Sequence, residues 1–425
     1  MISSQESFSP QAAPEDLTAE EVTTFERLLE PLKPALAEIE KSRWIHHLEK
    51  LSLTAFVRLL VYYFTETIGS GRLLLTDVVS APKGLNLPVV ARSTFFDAFK
   101  RFPVAWFARM LMILLTTVAW KEIPELQTLG KLYCVDGSLF PALATMLWAE
   151  YQSQCQALKL HLVFDLNRMV AVQILVGSGN SNEKSALRQM LQAGVTYIAD
   201  RGYVSFPLLA DIVLTQAYFL FRMKSNLSYS LVDPLPLSLP DCVSHIFSQV
   251  TDQTVTLTNA KGQPRYRLVH FWIVQEEFLI LTNRLDLTTF QVILIYAYRW
   301  QVELMFRFLK RTLNGLHLLT TSQKGVTIQF YLLLITALLQ LHLKQRCVET
   351  FLLSQPQAQL SSDPIANDTL IAQRTVTDPE GQLFLATVGD NLHRYWKISV
   401  HWLQTLRNLL AQPFDHWAIE LLAQT

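Results

Sequence analysis

Between Lys131 and Lys224 the chain changes period several times, and the order of those changes restricts its fold more than any other feature. Three apolar runs come first: KLYCVD (131–136), ALKLHLVFD (157–165) and MVAVQILV (169–176). In the second, Leu158, Leu160, Leu162 and Phe164 alternate with Lys159, His161, Val163 and Asp165, the two-residue period of a strand. A helical segment at 183–192, a strand at 195–200, a helix at 206–216 and a strand at 217–224 follow. Three strands in succession and then helical crossovers predict an α/β chain with a mixed sheet flanked by helices.

This is the strand order of the RNase H-like fold. The core is expected over 130–224 and 286–345, interrupted at 225–285 by a β-rich insertion that opens on the Pro-rich DPLPLSLPD and continues through YRLVHFWIV and FLILTNR. A long helix is expected from Thr288 to Leu313, and an apolar helix over 325–345. Residues 1–20 read as a disordered acidic tail, and 21–125 as a helical N-terminal domain that binds DNA. There Phe25, Leu28, Leu29 and Leu32 keep the 3.6-residue period. The segment ARSTFFDAFKRF (91–102) offers Ser93 or Thr94 as an N-cap, with Lys100 and Arg101 near the helix end. It reads either as a groove-entering helix or as one member of an ordinary bundle. Residues 355–425 begin as a polar linker and return to helical pattern.

Half the residues are hydrophobic and 17% charged, which excludes a disordered chain. Gly325–Leu343 is uncharged and long enough to span a bilayer, but it contains Gln329, Gln340 and His342 and reads as a buried core helix, so no membrane partner is expected. The polar N-terminus has no basic and apolar leader, and the four cysteines lie far apart without a C-x-x-C, which fits a reducing cytoplasm. Thirty-six basic and 36 acidic residues cancel, so a nucleic-acid partner has to be argued from local charge.

Two aspartates end predicted strands: Asp136 in V-D-G-S and Asp200 in A-D-R-G-Y. Each precedes a glycine that lets the backbone turn, and each alone also fits a common turn. A sharper pattern is Tyr296-x2-Arg299-x3-Glu303-x6-Lys310. On a single helix at about 100° per residue these four form one stripe about 60° wide. Arg307 shares the stripe and Trp300 flanks it, while Val302, Leu304, Met305, Phe308 and Leu309 face the other way. From Arg299 to Lys324 five bases and one acid, Glu303, leave a net charge of +4. The plain alternative is a solvated face with Arg299–Glu303 and Glu303–Arg307 ion pairs.

The set Asp136, Asp200 and Glu303 resembles the D-D-E triad of insertion-sequence transposases, and Tyr296, Arg299, Glu303 and Lys310 match the Y-R-E-K signature of the IS-four family. T-N-R-L-D at 282–286 and D-R-G-Y at 200–203 are similar to the family's flanking elements. The resemblance covers roughly 130–345. It implies that Asp136, Asp200 and Glu303 are catalytic and hold two Mg²⁺ ions about 4 Å apart, with Mn²⁺ as a substitute. It implies phosphate contacts from Tyr296, Arg299 and Lys310, supported by Arg307, and a Trp300 that stacks on an unpaired base or packs at the rim. The implied partners are double-stranded DNA, as terminal inverted repeats and target, and a second copy of the chain in a homodimer. The implied reaction is cut-and-paste transposition. An RNase H-like nuclease without strand transfer and a domesticated, non-catalytic DNA-binding protein are the rivals. Lys159 and His161 share a strand face with Asp165 near this site, with His161 in a structural role.

Overall fold

A computed structural model describes residues 14–354, apart from 46, 48, 67, 153–154, 225–227, 240–246, 259, 274–275, 312 and 314. The expectations for 1–13 and 355–425 therefore lie outside the described residues.

Among the described residues six longer helices precede the sheet: α1 (Pro14–Leu29), α2 (Lys33–Ser42), α3 (Leu53–Thr65), α4 (Gly71–Ser80), α5 (Arg92–Arg101) and α6 (Val104–Thr117). Helix α1 starts inside the segment read as a tail. Its Phe25, Leu28 and Leu29, with Leu32 beyond it, are buried as their period requires. Helix α3 is buried nearly all round, and Phe56 on it meets the rings of Phe95, Phe99, Phe102 and Phe107. Ser52 caps α3 and Ser70 caps α4, each accepting from a backbone N–H three residues on. The expected cap of α5 is corrected: the helix starts at Arg92 after Ala91, with no side-chain cap, and Ser93 and Thr94 lie inside its first turn. Arg101 donates to the Leu51 carbonyl and lies 4.6 Å from the Phe102 ring centre, so it holds helices together.

After one helical turn, α7 (Pro124–Gln127), come β1 (Lys131–Pro141), β2 (Glu150–Gln152), β3 (Cys155–Asp165), β4 (Val170–Ser178), α8 (Glu183–Gln189), β5 (Val195–Ala199), α9 (Phe206–Leu214) and β6 (Tyr218–Arg222). The expected insertion supplies β7 (Tyr229–Pro234), β8 (Phe247–Leu257), β9 (Arg265–Ile273) and β10 (Glu276–Thr282). One sheet runs β4-β3-β1-β5-β6-β10-β9-β8-β7, with β2 added at one end of β3. Among the described residues only β1–β5 and β5–β6 pair in parallel. This is a mixed α/β architecture consistent with the RNase H-like fold, and β10 joins β6 so that the insertion continues the same sheet.

The two-residue period of β1 sends its side chains to two different cores. Tyr133 and Val135 pack with Leu187, Leu208 and Ile212 of α8 and α9. Leu132 and Cys134 pack with the other core, which contains α10 (Thr289–Ala297), α11 (Trp300–Arg311) and α12 (Gln323–Ser354). Helix α12 is long and apolar enough to cross a membrane, but 67% of its apolar window is buried inside the protein. It packs against α3, α6 and β4.

Candidate functional site

The parallel ladder pairs Lys131–Cys134 of β1 with Val195–Ile198 of β5. Continued by two residues, that register sets Asp136 opposite Asp200, just where β5 has ended. Asp136 does not end its own strand, as the sequence suggested. β1 runs on to Pro141, held there by β3, with Asp136 opposite Leu162. The role expected of the glycines is also corrected, because neither Gly137 nor Gly202 has a positive φ. Glycine supplies room instead. A Cβ on Gly137 would sit 3.2 Å from His161 Nδ1, 3.3 Å from Glu183 Oε1 and 3.3 Å from Lys159 Cδ. A Cβ on Gly202 would sit 3.0 Å from Glu183 Oε2.

Asp136 continues the even-numbered face of β1, towards α11. The single helix expected over 288–313 is broken between α10 and α11. At the break Arg299 N–H donates to the Tyr296 carbonyl at 3.0 Å, Gln301 to Tyr298 at 3.0 Å and Val302 to Arg299 at 3.2 Å. These three-residue steps tighten the backbone and change its register. The one-stripe geometry therefore fails at its first member: Tyr296 is 1% exposed and packs edge-on against Phe278. Arg299 is buried, and the Cys134 thiol lies 3.6 Å from its carbonyl oxygen. Beyond the break the pattern holds. The Arg299 guanidinium pairs with Glu303 at 2.9 Å. Lys310 Nζ donates to Ser138 Oγ at 2.8 Å, joining the end of α11 to the D-G-S segment, and lies 4.7 Å from the Phe140 ring centre. Arg307 is exposed and stacks over Trp300 at 6.0 Å. Val302, Leu304, Met305, Phe308 and Leu309 are buried.

Burial pushes the Asp136 carboxyl up to about 6; Arg299 and the Gly137 N–H oppose this, while Glu303 and Glu183 add to it. Burial likewise raises the Tyr296 hydroxyl to about 12, with Arg299 lowering it and Asp200 raising it. Burial lowers Lys310, against the pull of Asp136. Asp200 Oδ1, Arg299 Nε and the Tyr296 hydroxyl are buried without a well-formed hydrogen bond. Asp136 thus lies within the electrostatic reach of Arg299, Glu303 and Lys310, Asp200 acts on Tyr296, and Arg307 stacks over Trp300.

Sequence reasoning passed over Glu183. It opens α8, where the Asn182 side chain caps the helix, and that pattern reads as an ordinary helix start. Its carboxylate pairs with Lys159 at 3.3 Å, and His161 Nε2 lies 2.8 Å from Ser181 Oγ, so Lys159 and His161 do border the site. Asp165 does not: it turns to Arg168 at 2.8 Å.

Among the described residues no group of three or more His, Cys, Asp or Glu is closed tightly enough to hold a metal ion. The donors are nonetheless the oxygens a hard divalent cation prefers, and the orphaned Asp200 Oδ1 is an acceptor that a cation would satisfy. Glu303 would have to leave Arg299 in part to join it.

Residues 128–339 match the family model described as "Transposase DDE domain". The chain carries a DDE transposase domain. Two relatives agree with this. "Putative transposase y4zB" of Sinorhizobium fredii is 27% identical over 241 residues, 55% of this chain and 66% of that protein. "Probable transposase for insertion sequence element IS5377" of Geobacillus stearothermophilus is 24% identical over 248 residues, 58% of this chain and 65% of that protein. The chain thus spans just under two thirds of the length of either relative. The transposase domain takes in the whole sheet and both helices of the Tyr296–Lys310 segment.

Proposed function

We propose that this chain is a cut-and-paste transposase of the IS-four type, which binds terminal inverted repeats, cleaves DNA there and joins the 3′ ends to target DNA. Asp136, Asp200 and Glu303 are its catalytic carboxylates. The observation that carries this reading is the Lys310–Ser138 hydrogen bond of 2.8 Å, beside the Arg299–Glu303 pair of 2.9 Å. The Lys310 bond joins the Y-R-E-K helix to D-G-S, and the continued β1–β5 register sets D-G-S opposite D-R-G-Y, which supports reading the three sequence signals as one site.

The three carboxylates would hold divalent cations, Mg²⁺ with Mn²⁺ as substitute, which supply activation of the attacking oxygen and stabilisation of the leaving one. Arg299 holds Glu303 in place before a cation arrives. Lys310, Arg307 and Trp300 border the outer side and offer two cations and one ring to a phosphate backbone and its bases. Buried Tyr296 supports Arg299 from below, 5.8 Å from ring centre to guanidinium. The burial of α12 supports a core helix rather than a membrane span, and the protein would act on DNA as a homodimer that holds two ends.

The test is cleavage and joining of a DNA carrying the element's own ends, with Mg²⁺ and with excess chelator. Activity that survives chelation, or survives Glu303→Gln, overturns the proposal. Cleavage without any joined product favours the nuclease reading.

A further inference from the structure

Two glycines follow the two proposed catalytic aspartates, and one side chain explains both. Glu183 Oε1 lies 3.3 Å from where a Cβ on Gly137 would be, and Glu183 Oε2 lies 3.0 Å from where a Cβ on Gly202 would be. A single carboxylate therefore reaches into the gap beyond the end of β5, between the D-G-S segment and the D-R-G-Y turn. A second, independent group points to the same place. His161 is 1% exposed, and its Nδ1 is buried without a partner 3.2 Å from the Gly137 Cβ position. Its other ring nitrogen is already engaged by Ser181 at 2.8 Å. An orphaned ring nitrogen beside an acid, in a pocket kept open by two glycines, calls for a ligand that carries its own hydrogen-bonding groups. A hydrated divalent cation would be such a ligand: Glu183 would help to hold it, and its hydration would satisfy the His161 ring.

We propose that Glu183 is a fourth acidic residue of the site, sharing a divalent cation with Asp136. Lys159, 3.3 Å from Glu183 Oε1, is its counter-ion when the cation is absent. A helix-opening Glu that merely pairs with a lysine would not need a glycine on each of two neighbouring segments. This inference rests on reading Asp136 as a cation ligand.

The test is a Mn²⁺ titration of the full chain without DNA, following the free-ion signal by electron paramagnetic resonance. Glu183→Gln should weaken Mn²⁺ binding on the order of 10- to 100-fold, while the Tm in chelator stays near that of the parent. Asp136→Asn should weaken it as well. Lys159→Met keeps the carboxylate and removes its competitor, so it should bind Mn²⁺ at least as tightly as the parent. Unchanged affinity in Glu183→Gln beside a loss in Asp136→Asn overturns the proposal and leaves the reading of Asp136 standing. Unchanged affinity in both overturns both. Should Glu183→Gln fail to fold, weakened binding in Lys159→Met overturns the proposal, because Glu183 would then be acting only through that pair.

Discussion

Two buried arginines of this molecule have opposite surroundings. Arg267 on β9 is 3% exposed and forks onto Asp252, itself 3% exposed, with Nε at 2.9 Å from Oδ1. Its remaining donors reach the carbonyls of Leu287 and Arg284, and Thr289 Oγ1 donates to Asp252 Oδ2 at 2.7 Å. Arg299 is buried almost as deeply, at 6% exposed, yet its Nε has no partner and its carboxylate, Glu303, is one-third exposed. The first cluster is complete within the protein and ties the insertion to the start of α10. The second leaves a donor of Arg299 unsatisfied and its carboxylate partly open to solvent. Burial alone does not distinguish a structural charge from a working one; the state of its hydrogen bonds does.

The widest separation expected between the two clusters is in activity. On the proposed reading, Glu303→Gln or Asp136→Ala should lower DNA cleavage about a thousand-fold or more, since a cation held by these carboxylates would supply several kcal/mol of transition-state stabilisation. Asp252→Ala, measured in whatever fraction stays folded, should leave cleavage per molecule near that of the parent. Equal losses from both clusters would erase the distinction.

Stability should run the other way. Asp252→Ala strands Arg267 and should cost about 3–5 kcal/mol in denaturant unfolding. Glu303→Gln, at a pair one-third open to solvent, should cost under about 1 kcal/mol.

The third prediction uses pH. The Asp136 carboxyl stands at about 6 in the folded protein against an ordinary 3.8, so burying its charge costs stability in full above about 6. That cost is relieved as pH falls from about 6 towards 3.8. Asp136→Asn should therefore raise stability at pH 7.5 in chelator by on the order of 1–3 kcal/mol, an advantage that shrinks on acidification through that window. A destabilised Asp136→Asn would mean that the carboxylate is a structural partner like Asp252. The smallest effect should come from the rim. Arg307→Ala should reduce the slope of log affinity for DNA against log salt by about one, with no change in melting.

Much of the sheet was legible because β3 alternates cleanly and Gly, Asn or Pro punctuates the connections. The Arg299–Glu303 pair was legible because a four-residue spacing holds on any helix. The break at Tyr298–Arg299 was not: the segment IYAYRWQVEL contains no Gly or Pro, and the tightened turn is imposed by packing, with Cys134 against the Arg299 carbonyl. The error propagated to Tyr296, which left the stripe for the core. At Gly137 and Gly202 the requirement is space rather than backbone freedom, and a glycine after a strand-end aspartate looks the same in sequence for either. Glu183 could not be found by spacing, since β1, β3 and the Asp200 turn approach it from three directions.

Helix α12 has a consequence for the order in which the molecule can be made. It packs on α3, α5 and α6, its Gln345 side chain donates to the Ala119 carbonyl at 3.2 Å, and its Gln323 side chain reaches the Val176 carbonyl of β4 at 3.3 Å. The N-terminal helices bury their apolar faces against a segment that begins 258 residues after Thr65. At about 5–20 residues per second, a ribosome needs on the order of 10–50 s to supply it. For that interval the nascent N-terminal helices lack the helix they pack against and expose apolar faces prone to association. Helices made before the sheet are thus among the last parts to become native.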